Sequence, residues 1–177
     1  MRAAMTCLLL LVPAGLVSGR DTDDWIDFSP KGGKFTIKMP AKPKDVSQEI
    51  DSPGGGKLKI RIYAAEEENA GAYLVSYADF PEDLVDADDL PGQYDRIQGG
   101  IVKSAKGKVL TSKNVKVLKK YPGREVTYTV PALKGTGKVR MFFVEARLYQ
   151  IMALGTEEFM GREDVGFYFD SFKITAK

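Results

Sequence analysis

Val139-Arg140-Met141-Phe142-Phe143-Val144, followed after three residues by Leu148-Tyr149-Gln150-Ile151-Met152-Ala153-Leu154, is the stretch that decides the fold. Successive residues of a strand point to opposite faces of a sheet, so a half-exposed strand alternates between apolar and polar residues. These two runs hardly alternate: only Arg140 and Gln150 interrupt them. Strands apolar on both sides need cover on both sides. The link Glu145-Ala146 lacks the glycine or asparagine that a tight primed turn prefers, so this loop is expected to be longer or strained.

Upstream, the pattern is that of one-sided strands. Phe35, Ile37 and Met39 alternate with Thr36 and Lys38 before Pro40. Pro43 and the segment Lys44 to Gly56, rich in glycine at its end, read as a turn or loop. Leu58, Ile60, Ile62 and Ala64 then alternate with Lys57, Lys59, Arg61 and Tyr63, giving a strand with one basic face. Ala72 to Ala78 is a third strand, entered through a hairpin turn at Asn69 to Gly71. Tyr94, Ile97, Ile101 and Ala105 recur at helical spacing and predict a helix over Pro91–Ala105, opened by the acidic run from Asp86. Gly99-Gly100 lowers its propensity, so packing must hold it.

Val109 to Val117 reads as a strand and Tyr121-Pro122-Gly123 as the turn after it. Val126, Tyr128 and Val130 form the next one-sided strand, with Gly135-Thr136-Gly137 as a loop. Glu157 to about Phe167 is expected to be one short helix, and Phe169, Phe172 and Ile174 to pack a terminal segment.

At the N-terminus, Arg2, the apolar run Leu8 to Val17 and the small residues Val17-Ser18-Gly19 have the form of a cleaved export signal over residues 1–19. Residues 20–33 read as an irregular acidic lead-in anchored by Trp25-Ile26 and Phe28, and residues 34–177 as one domain. The sole cysteine, Cys7, precedes the apolar run, so it leaves with the signal and is not placed for lipid anchoring. The exported chain then has no thiol, and the sequence contains no histidine. Ser-His-Asp catalysis, thiol catalysis and histidine- or thiolate-ligated metals are thereby excluded. The charge balance, 26 basic residues against 24 acidic, implies no overall field for nucleic acid or an anionic membrane, so any basic attraction must be local. No second apolar run reaches the roughly 20 residues of a membrane span.

An antiparallel sheet with helices on both faces is an α+β fold, an α/β/α sandwich. The alternative is an open sandwich or small barrel with the Pro91–Ala105 helix at its periphery. The opening Phe35-Thr36-Ile37-Lys38-Met39-Pro40, the helix before Gly107-Lys108-Val109, and Arg147-Leu148-Tyr149-Gln150 with Phe169-Asp170-Ser171-Phe172 resemble the PsbP-like superfamily over Gly33 to Ile174. The resemblance implies a fold whose members are mostly non-enzymatic accessory or binding proteins, such as photosystem extrinsic subunits and a Ran-binding import factor. It transfers no site residue.

The candidate residues are few. Lys57, Lys59 and Arg61 share a strand face suited to an anionic polymer, lipid headgroup or acidic partner, or simply to guarding an edge. Arg124 and Arg140 suit a pocket, or pairing with a carboxylate such as Glu125 or Glu145. Asp83, Asp86, Asp88 and Asp89 lack the ligand spacing of a calcium loop and read as a solvated helix start. Lys134-Gly135-Thr136-Gly137 lacks the ending of a phosphate loop. The expectation is an exported, non-catalytic binding or accessory domain acting on an envelope protein partner, with no cofactor, no metal, no nucleic acid and no transmembrane segment. Carriage of a small or lipidic ligand, or a carboxylate-based hydrolase, are the alternatives.

Overall fold

The computed structural model describes residues 21–51 and 55–175. The expected export signal and Cys7 lie outside the described residues. The elements are β1 (Ile26–Phe28), β2 (Phe35–Met39), β3 (Lys44–Asp45), β4 (Gln48–Asp51), β5 (Lys57–Glu67) and β6 (Gly71–Asp79), then α1 (Leu90–Ser104). They continue with β7 (Val109–Val117), β8 (Tyr121–Val130), β9 (Gly135–Val144), β10 (Arg147–Gly155), α2 (Glu157–Met160), α3 (Glu163–Asp170) and β11 (Lys173–Ile174).

The doubly apolar hairpin is β9–β10, and it lies inside the large antiparallel sheet, whose strand order is β3-β5-β6-β10-β9-β8-β7. On one face, Val139, Met141, Phe143 and Leu148 pack with Val126, Tyr128 and the helical residues Tyr94, Ile97 and Ile101 of α1. On the other, Phe142, Tyr149, Ile151 and Ala153 pack with Phe159, Val165, Tyr168 and Phe172 of the C-terminal segment and with Phe35, Ile37 and Met39 of β2. Both faces of the hairpin are covered, as its composition requires, and the fold is α+β with helices on both sides. One face also carries a small second sheet, ordered β1-β2-β11. The link Glu145-Ala146 is short, since Val144 pairs directly with Arg147. Glu145 takes φ 54°, so the turn is tight and strained rather than longer.

Tyr94 ties α1 to this sheet: its hydroxyl donates to the Pro122 carbonyl at 2.8 Å and accepts from the Phe143 amide at 3.3 Å. Asp89 caps the helix, its carboxylate accepting from the Gly92 amide at 3.1 Å. The acidic run before α1 is thus a helix start.

Several expected loops are strand. Tyr121-Pro122-Gly123 opens β8; the turn is Leu118 to Lys120, where Leu118 and Lys119 take φ of 50° and 59°. Pro122 precedes the first β8–β9 pair, so its missing N–H breaks no rung there. Gly135-Thr136-Gly137 opens β9, the turn being Pro131–Leu133 with Lys134 after it. Gly137 serves close approach instead, since a Cβ there would come within 2.6 Å of the Tyr128 ring. Segment 44–56 contains strands β3 and β4, which pair with β5. The lead-in contains β1; Trp25 beside it is buried against Tyr73 while Ile26 stays exposed. The C-terminal helix is broken at Gly161-Arg162. Arg162 leaves the helical path to bind Glu67 at 2.7 Å and Asp164.

Candidate functional site

Strand register places the candidate arginines on opposite faces. Arg124 points to the α1 side, where its guanidinium donates to Asp95 at 2.7 Å and Asn114 at 2.9 Å. Its expected partners were Glu125 or Glu145. Glu125 is the next residue along the strand and therefore faces away, and Asp95 comes from the packed helix.

Arg140 does pair with Glu125, its Nε and Nη2 donating at 3.1 and 2.9 Å to one carboxylate oxygen. Lys113 reaches the other oxygen at 3.0 Å. The three residues are cross-strand neighbours, Lys113 opposite Glu125 and Glu125 opposite Arg140, so β7, β8 and β9 carry a +/−/+ row. Asp170, at the end of α3, approaches Arg140 from the far side at 3.4 Å. Burial pushes the Glu125 carboxyl up, but hydrogen bonds and charge from Lys113 and Arg140 outweigh it and hold the group below the ordinary glutamate range.

This row lies in a groove of about 560 Å³ between the end of α3 and the β7–β8 turn. Val115, Val117, Ile151 and Phe172 give it an apolar lining. Lys116, Lys119 and Lys138 add cations around it. None of these three has a carboxylate partner within 4 Å among the described residues; Lys138 lies over the Phe169 ring at 5.6 Å.

Lys57, Lys59 and Arg61 do share a face of β5, but β4 runs outside that strand, so they do not guard an edge. Lys57 pairs with Asp51 at 2.5 Å, and Lys59 stands opposite Glu49. Ser47 hydrogen bonds, with help from Arg61 and Lys59, hold the Asp45 carboxyl below its ordinary value. The strip faces carboxylates across the strand pair. The structure does not bring it together with Arg124 or Arg140.

The near-even charge of the whole chain, 26 basic residues against 24 acidic, hides the groove cations. From Lys103 to Arg140 the sequence holds eleven basic residues and one acidic residue, Glu125. Charge counted by segment would have found this basic half, which folds as β7, β8 and β9.

A large antiparallel sheet with α1 on one face, and the C-terminal helices with a small sheet on the other, is a PsbP-like α+β architecture. Among solved structures, the chain is similar to the solution structure of cyanobacterial PsbP (CyanoP) from Synechocystis sp. PCC 6803, with a TM-score of 0.55 over 96% of this chain and 98% of that one. At 12% identity the likeness shows the fold and transfers no residue. No protein-family model matches the sequence, and no curated protein does. No helix among the described residues is long and apolar enough to cross a membrane.

Proposed function

We propose that the chain is an exported, non-catalytic binding or accessory domain that acts on an envelope protein partner through the groove between α3 and β7–β8. The observation that carries this reading is the groove's chemistry, an apolar lining with Lys116, Lys119 and Lys138 around it, none of which has a carboxylate partner among the described residues. An acidic, partly apolar segment of a partner satisfies both features. Hydrolysis by paired carboxylates fits less well. Glu125 and Asp170 both lie against Arg140, and Glu125 is held ionised, the wrong state for a general acid. A lipidic carrier would need room under α1, where Tyr94, Ile97 and Ile101 instead pack on the sheet.

The test is native mass spectrometry of the protein recovered from the envelope fraction of its own cells. A partner mass present with the native chain, lost in Lys119→Glu/Lys138→Glu and retained in Lys59→Glu, supports the reading. No partner mass, or one retained in the groove variant, contradicts it.

A further inference from the structure

The basic half of the chain has a second concentration of cations, at the end of the sheet opposite the β7–β8 turn. There the C-terminus of α1, the 105–108 connection and the turn Pro131–Leu133 come together. The Thr129 amide donates to the Lys108 carbonyl at 2.9 Å, and the Lys108 amide to the Thr129 hydroxyl at 2.9 Å. Gly107 packs so closely on Thr129 that a Cβ would meet its carbonyl oxygen at 1.9 Å. Lys103, Lys106, Lys108 and Lys134 are exposed around this end, and none has an ion-pair partner among the described residues.

Three large apolar side chains stand among these lysines in water. Leu110 is 53% exposed, Val109 42% and Leu133 38%. Leu110 falls at a β-bulge: Val109 pairs with Tyr128 and Thr111 with Thr127, so Leu110 has no partner opposite it. A bulge re-aims a side chain. Two lysines here also occupy positions where glycine is easier. Lys106 has φ 50° just past the end of α1, with the Gly107 amide bonded to the Val102 carbonyl at 3.0 Å, and Lys134 has φ 48° after its turn.

From these features we propose that this end of the molecule docks on an anionic lipid surface. Lysines ringing exposed leucine and valine match a negatively charged headgroup layer over an apolar phase, which a purely anionic polymer does not offer. The reading does not depend on the groove, which opens toward the other end of β7.

Co-sedimentation of residues 20–177 with phosphatidylcholine vesicles containing phosphatidylglycerol tests it. Binding is expected with the mixed vesicles, absent with pure phosphatidylcholine and strongly reduced at 0.5 M salt, an added concentration chosen to cut the Debye length to about 4 Å. Lys106→Gly/Lys134→Gly removes two charges at positions that favour glycine, so folding is retained. At roughly fivefold per lysine it should weaken binding about 25-fold. Leu110→Ser should weaken it about tenfold. Lack of binding to the anionic vesicles overturns the proposal. So does full binding by the double-glycine variant, or equal affinity for polyglutamate with no effect of Leu110→Ser.

Discussion

Replacing Glu125 with glutamine tests the charge row at the groove. The Glu125 side chain is only 10% exposed and lies between Arg140, 24% exposed, and Lys113, 64% exposed. The exposed Lys113 contact is screened and is worth about 0–1 kcal/mol. The half-buried contact, with two N–H donors on one carboxylate oxygen, belongs with charge-assisted bonds of about 1.5–3 kcal/mol. Arg140 keeps Asp170 and the Phe169 carbonyl in the variant, so its charge is not stranded. The expected loss at pH 7 is therefore about 2–3 kcal/mol. The pH dependence has a definite sign. Glu125 has a depressed folded-state pKa, so its stabilisation is complete above the unfolded glutamate value of about 4.3 and fades as pH falls through the lower folded value. Urea denaturation at pH 7 and below pH 4 measures both. The gap between native chain and variant should narrow in acid. Equal stability at pH 7, or a gap unchanged in acid, would refute the reasoning.

Two other substitutions test what positions the site. Arg162→Met should cost about 3–5 kcal/mol in denaturant unfolding, because Asp164, 1% exposed, and Glu67 lose the guanidinium between them. Tyr94→Phe leaves the Phe143 amide without its hydroxyl acceptor beneath α1 and should cost about 1–3 kcal/mol, with unchanged far-ultraviolet circular dichroism.

The architecture was legible where composition alone demanded it. Val139–Val144 and Leu148–Leu154 required cover on both faces, and both covers are present. Turn positions were less legible, because glycine has two uses. Gly123 and Gly137 look like turn residues in sequence but are small to let Met141 and Tyr128 approach. The actual turns at Leu118-Lys119 and Lys134 use left-handed backbone at residues that ordinarily avoid it. Arg140–Glu125 was recognisable as a pairing, whereas Arg124–Asp95 joins a strand to a helix across 29 positions and only tertiary packing reveals it. The grouping of Lys116, Lys119 and Lys138 at one groove depends likewise on strand order.

The most direct test of the binding account is hydrogen–deuterium exchange of the protein alone and with the partner recovered from its envelope fraction. Added protection is predicted over residues 113–119, 138–140 and 169–172, the walls of the groove. Protection confined to the Lys57–Arg61 strand and its β4 neighbour, with the groove segments unchanged, would contradict it.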